Sequence, residues 1–148
     1  MKALIVCESI HMGSTKKIAE AMGRALNADV KQPREVNPEK IAEYDLIGFG
    51  SGIYDSTFHP SIFKLADKLP SLEGKKVFTF STSGIIYKEA HAKIKRKLEE
   101  KGAVVSGDFY CRGLNKNSFL KYFGGMNKGR PNSHDLGKAQ AFATSMSI

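Results

Sequence analysis

Ser9, His11, Gly13, Ser14 and Thr15 fall within one short segment, "SIHMGST", between the apolar run Ala3-Leu4-Ile5-Val6-Cys7 and a helical period. Hydroxyls, a glycine and backbone amides gathered at the start of a helix suit an anion. The first N–H groups of a helix lack intrahelical partners, and the helix dipole is positive there. A phosphate is the natural guest, although Ser14 and Thr15 can equally do no more than cap the helix. Rival phosphate chemistries do not fit. The G-x-x-x-x-G-K-[ST] pattern is absent. A phosphatase-type loop starting at Cys7 would need Arg at position 13, where Gly13 stands. A phospho-acceptor site would need a cluster of acids after the first and third strands, and Glu8 stands nearly alone. "GFGSG" (48–52) is not followed by a helix start at the spacing of a dinucleotide fingerprint.

Two more segments share a chemistry of their own. Gly50-Ser51-Gly52-Ile53-Tyr54-Asp55-Ser56 and Ser81-Thr82-Ser83-Gly84-Ile85-Ile86-Tyr87 are small and polar with an apolar tip. Such segments offer backbone groups to the edge of a flat ring, while Ile53, Tyr54, Ile85 or Tyr87 can flank its faces. Each taken alone reads as ordinary turn chemistry.

The elements that must position these residues alternate. Strands are expected at 3–7, 28–32, 45–51, 75–83 and 103–111. Helices are expected at 14–27, 37–44, 59–69, 87–102 and 132–146, and a long Gly- and Lys-rich loop at 112–131. Ser14, the Asn37-Pro38 pair, Pro60 and Asn132 or Ser133 supply start signals, and Gly102 a stop. Uninterrupted apolar strands that alternate with helices predict an α/β domain: a parallel sheet covered on both faces. In such sheets ligands bind beyond the carboxyl ends of the strands, where strand order reverses. All three polar segments lie at those ends.

Composition narrows the classes. One domain over residues 1–148 is the expectation for this length. No apolar run approaches the ~20 residues of a membrane span, and "MKALIVCES" reads as a first strand rather than a signal peptide. Only Cys7 and Cys111 are present, which fits a reducing cytoplasm. They would end strands that are not neighbours, so they are expected as buried small hydrophobes rather than a disulfide. The histidines show no metal-ligand spacing, and no metal is expected. The formal charge of +8 is uneven: residues 1–74 carry −1 and residues 75–148 carry +9. No RNA- or DNA-binding motif accompanies this excess, which argues against nucleic acid and leaves a docking face for an acidic protein partner or a merely solvated, solubilising surface.

The segments "SIHMGSTKKIAEAM", "DLIGFGSGIY", "FTFSTSGI" and "GRPNSHDLGKAQAFA" together resemble the flavodoxin family, and the likeness covers essentially the whole chain. The resemblance implies a three-layer, doubly wound, five-stranded parallel sheet of order 2-1-3-4-5, with FMN at the switch point between strands one and three. It implies that Ser9, Ile10, His11, Met12, Gly13, Ser14 and Thr15 hold the FMN phosphate. Ser51, Gly52, Ile53 and Tyr54, with Ser81, Thr82, Ser83, Gly84 and Ile85, would flank the ring. His11 and Met12 stand where family members commonly carry hydroxyls, which shifts phosphate recognition toward backbone amides. The chain has no Trp, so no Trp stacks on the ring. The implied role is electron transfer between redox protein partners, with no residue acting as acid, base or nucleophile. The rival is an FMN-dependent oxidoreductase with its own substrate, of quinone-reductase or protoporphyrinogen-oxidising type, using residues 112–131. Family carriers are typically acidic, whereas Lys88, Lys93, Lys95, Arg96 and Lys97, then Arg112, Lys116, Lys121, Lys128 and Arg130, make this chain basic. Cations near the ring would make the last one-electron reduction step less negative.

Overall fold

In a computed structural model the apolar run after Lys2 forms β1 (Ala3–Glu8), and side-chain alternation along it divides the core in two. Leu4 and Val6 face one side, with Ile47, Phe49, Ile62, Leu65, Val77, Ile94 and Leu98. Ala3, Ile5 and Cys7 face the other, with Ile18, Met22, Phe78, Phe80, Ala139 and Ala143. A strand buried on both faces in this way belongs to the middle of a parallel sheet. The structure describes residues 1–9, 13–86, 88–113 and 129–148.

The remaining elements follow in chain order. They are α1 (Ser14–Leu26), β2 (Asp29–Lys31), β3 (Leu46–Tyr54), β4 (Thr57–Phe58), α2 (Pro60–Lys68), β5 (Lys76–Ser83), α3 (Ala92–Glu100), β6 (Val104–Arg112) and α4 (Ser133–Met146). The parallel sheet runs β2-β1-β3-β5-β6, and β4 pairs antiparallel with β3. Apart from the extra β4, this is the order 2-1-3-4-5 expected from the sequence. Helices α1 and α4 pack together on one face of the sheet, and α2 and α3 on the other.

Four local departures have physical reasons. The segment after Asn37 forms a 3-10 helix, Pro38–Glu43, with Asn37 accepting from the Glu39 N–H; it is one tight run too short for an α-helix. The segment expected as one helix over 87–102 begins as a 3-10 turn (Lys88–His91) and becomes α-helical only at Ala92, because His91 is drawn into the core. The third departure is β4, which closes a hairpin whose turn residues Asp55 and Ser56 both have positive φ, 49° and 67°. That is the primed-turn geometry that matches strand twist. Finally, α1 starts from Gly13 in the left-handed region, and not from a serine cap.

The glycines of "GFG" in β3 have a packing reason. A Cβ on Gly48 would lie 2.4 Å from the Phe78 ring, and one on Gly50 would lie 2.1 Å from the Phe80 ring. Two phenylalanines of β5 lie flat across the neighbouring strand, which only bare backbone permits. No helix among the described residues is long and apolar enough to cross a membrane.

Candidate functional site

The sheet register gathers the polar segments in rows at its carboxyl edge. Glu8, Ser51, Ser81 and Tyr110 lie side by side across β1, β3, β5 and β6, and Gly52, Thr82 and Cys111 form the next row. The amino end of α1 opens over the same edge. Gly13 sits at φ 67°, with nothing among the described residues where a Cβ would stand, and as N-cap it brings no side chain to the helix start. The first turn carries no acid, and Lys16 and Lys17 there are exposed. This combination favours a negatively charged guest.

Side chains tie this helix start to the neighbouring strands. Thr15 Oγ1 and Thr82 Oγ1 lie 2.6 Å apart in a buried contact between α1 and β5. Gly113, just past β6, donates its N–H to Ser83 O at 3.0 Å. A Cβ on Gly113 would stand 2.8 Å from Ser14 Cβ and 3.2 Å from Thr82 Cβ, so α1 and β5 close over it with no room for a side chain. The sequence reading missed Gly113. Its signal, a glycine directly after the fifth long strand, was submerged in a Gly-rich stretch.

The structure separates residues that face the edge from those that brace it. Gly13 and half-buried Ser9 lie at the β1–α1 junction, while Ile10, His11 and Met12 lie outside the described residues. Ser51 is fully buried. Its Oγ accepts from the His59 N–H at 3.0 Å and donates to Gly52 O, which fastens the β3–β4 hairpin to the start of α2. Ile53 packs on the core. Tyr54, half-buried at the hairpin tip, sets its ring edge-on to His59 at 5.2 Å. His59 Nδ1 accepts from the Ser61 N–H, so it has no proton there for Glu8 Oε1, 3.8 Å away, and that contact is no ion pair. Ser83 Oγ donates to Ile85 O at 2.6 Å, which bends the segment after β5, and Ile85 projects outward, 69% exposed. An exposed aliphatic side chain beside hydroxyls and amides suits the face of a flat ring. Tyr87 and most of the loop 112–131 lie outside the described residues.

His91 is a second residue that the sequence analysis does not single out. It is fully buried between Phe58, edge-on at 5.0 Å, and Tyr110, stacked at 4.1 Å. Its Nδ1 lies 2.8 Å from Thr79 Oγ1 and its Nε2 lies 2.7 Å from Ser81 Oγ. Burial pushes its pKa from 6.5 down to about 4, so the ring is neutral at pH 7. No local pattern announces such a residue, because both partners come from β5.

The cysteines and several cations are accounted for. Cys7 and Cys111 are buried and free, and burial above all pushes their thiols up to about 12 and about 11, which keeps them protonated and unreactive. Lys95 pairs with Asp108 at 2.9 Å, Lys97 pairs with Asp67, and Arg130 grips Asp135 through two nitrogens. Asp135 closes a capping box with Asn132 at the start of α4. These partnered cations are three of the seven that the sequence places in the basic cluster and the structure describes. Among the described residues no group of three or more His, Cys, Asp or Glu side chains gathers as for a metal.

Residues 4–125 match the family model described as a flavodoxin domain. An uncharacterized protein of Methanocaldococcus jannaschii is 46% identical over 148 residues, which span 99% of this chain and 98% of the relative. Oxidised flavodoxin 2 from Bacillus cereus superposes with a TM-score of 0.76 at 23% identity, covering 99% of this chain and 98% of that one. A flavodoxin from the domain Archaea gives a TM-score of 0.74 at 22% identity, covering 99% and 96%. At these identities the superpositions establish the fold.

Proposed function

From its membership of the flavodoxin family, to which this chain belongs, we propose that it binds FMN non-covalently at the carboxyl edge of its sheet and carries electrons between redox proteins. The observation that carries this reading is the open amino end of α1. It is begun by a left-handed Gly13, which brings no side chain to cap it, and carries no acid in its first turn; among the described residues nothing stands where a Cβ of Gly13 would lie, beside the β3 and β5 exits. In this reading Ser9 to Thr15, including Ile10, His11 and Met12, surround the phosphate. Ser51 to Tyr54 and Ser81 to Ile85 surround the ring, with Ser51 and Ser81 bracing the backbone from beneath. The exposed Ile85 covers one ring face and Tyr54 stands near the opposite rim.

FMN supplies one- and two-electron transfer chemistry when bound, and the protein orients it and tunes its potential. The donor set fits that group: backbone N–H groups and hydroxyls for a dianion, and an aliphatic tip with small residues for a flat ring. An electron carrier needs redox protein partners, and the basic second half of the chain favours partners with an acidic docking face; the two free cysteines fit a cytoplasmic setting.

The test is optical. Purified protein, or apoprotein given FMN, is expected to show the flavin bands near the blue end of the visible spectrum and to bind one FMN per chain. Colourless protein that cannot be reconstituted would overturn the reading. Turnover of a quinone without any protein partner would favour an oxidoreductase with its own substrate instead.

A further inference from the structure

A largely buried chain of polar groups links β6 to the carboxyl end of the neighbouring β5. It runs from Asp108 through Thr79 and His91 to Ser81. Its direction follows from proton counting. Burial alone would raise the Asp108 pKa, but the Lys95 ammonium at 2.9 Å and the Thr79 hydroxyl outweigh it and hold the carboxyl below its usual range. Asp108 is therefore an acceptor only. Thr79 Oγ1, 3.1 Å from Asp108 Oδ1, must point its single proton at that oxygen. Thr79 then has only lone pairs to offer His91 Nδ1, so that nitrogen carries the ring proton. A neutral imidazole protonated on Nδ1 accepts at Nε2, and Ser81 Oγ must be the donor there.

We propose that Asp108, acting through Thr79 and His91, sets the direction of this buried chain and thereby holds the segment Ser81–Ile85 in the form that receives a ligand at the sheet edge. Ser81 is tied to His91, Thr82 to Thr15, and Ser83 to the carbonyl of Ile85. Three consecutive hydroxyls thus anchor one segment to the 3-10 turn ahead of α3, to α1 and to its own turn. Phe58 and Tyr110 hold the imidazole plane, so the chain cannot reorient by swinging the ring. His91, Thr79 and Asp108 are positioning residues, because none reaches the edge itself. The ligand in question is the FMN of the preceding section, and that part of the inference rests on that reading.

The chain is reversible by one atom. In Asp108→Asn, Lys95 and the Tyr110 hydroxyl, which both approach Oδ2, retain the amide oxygen at that position. The NH2 group then faces Thr79 and donates to it. Thr79 turns its proton to His91 Nδ1, and the ring proton moves to Nε2. Long-range nitrogen–proton NMR on the full chain reads the tautomer directly. The expected result is protonation on Nδ1 in the wild type at pH 7 and on Nε2 in Asp108→Asn. Protonation on Nε2 in the wild type, or an unchanged tautomer in the variant, overturns the chain. A second arm measures FMN affinity. Thr79→Val interrupts the chain without changing side-chain size and is expected to weaken FMN by roughly three- to tenfold, the worth of one neutral hydrogen bond, with Thr79→Ser restoring it. Equal affinity in Thr79→Val and wild type overturns the positioning role. A wild type that binds no FMN removes the functional reading, and the tautomers alone then decide the chain.

Discussion

Burial leaves His91 uncharged, and that has a consequence for stability. Unfolded, its imidazole titrates near 6.5; folded, desolvation, opposed by the Asp108 charge and aided by Lys95, brings it to about 4. Between those values the unfolded chain holds a proton that the folded chain does not. The stability is therefore fully present above pH 6.5, falls as pH drops through the window, and levels off below about pH 4. A shift of this size corresponds to roughly 3 kcal/mol. Asp108 and Asp135, both held below the ordinary carboxylate value, lose their contributions only at still lower pH, so the window belongs to His91. Urea midpoints of the wild type are expected to fall steeply between pH 6.5 and 4.5. His91→Gln, which keeps a donor and an acceptor but does not titrate, is expected to flatten that slope. Parallel slopes for the two proteins would contradict the assignment. Removal of Cys7 or Cys111 reactivity is expected to change nothing at neutral pH, because neither thiol ionises there.

Among the elements, β3 and β5 depend on each other through bare backbone. Gly50→Ala would place a Cβ 2.1 Å from the Phe80 ring, which must move, in a layer where α1 and α4 already fill the space. A cost of about 1–3 kcal/mol is expected, read as a lower urea midpoint, and Phe80→Leu in the same chain should recover part of it through coupling of touching residues. Gly13→Ala is the contrast. It meets open space, so only its left-handed backbone is penalised, by about 1 kcal/mol. A larger loss from Gly13→Ala than from Gly50→Ala would refute this account of the two glycines. The same contrast explains what was legible in the sequence. Continuous apolar runs made the central strands readable, since burial on both faces of β1, β3 and β5 leaves little other composition, whereas the strand order came from the family resemblance and not from periodicity, and β2, short and largely exposed, left only a weak signal. Asn37-Pro38 and Asn132 marked element starts, but not whether a 3-10 or an α-helix would follow. The two-residue β4 has no periodicity to detect. At the site, the segments were readable by their place after strands, but the direction of each hydroxyl was not. Ser51 and Ser81 look the same in sequence as Ser83, yet they turn inward to His59 and His91, partners set by tertiary packing alone.

At the scale of the whole molecule, the +8 charge is less uniform in effect than in count. Lys95, Lys97 and Arg130 are spoken for by Asp108, Asp67 and Asp135. Lys88, Lys93, Arg96 and Arg112 are exposed, and among the described residues no acidic side chain stands within ion-pair distance of them. Lys93 and Arg96 lie one turn apart on the outer side of α3, whose inner side is fixed by Ile94 and Leu98. These charges, rather than the paired ones, should steer an incoming protein. Steering of this kind acts on encounter rate and is screened beyond ~10 Å at 0.1 M salt. With an acidic redox protein as partner, the bimolecular electron-transfer rate is expected to fall about tenfold or more from low to physiological ionic strength; with a basic partner it should rise. Stopped-flow rates across a salt series measure both. Lys93→Glu with Arg96→Glu should flatten the slope for the acidic partner while leaving the flavin spectrum unchanged, since α3's outer side is not the sheet edge. A double variant that keeps the wild-type salt slope would move the docking face away from α3. A slope of opposite sign would mean that the local field at the edge, and not the net charge of the second half, governs approach.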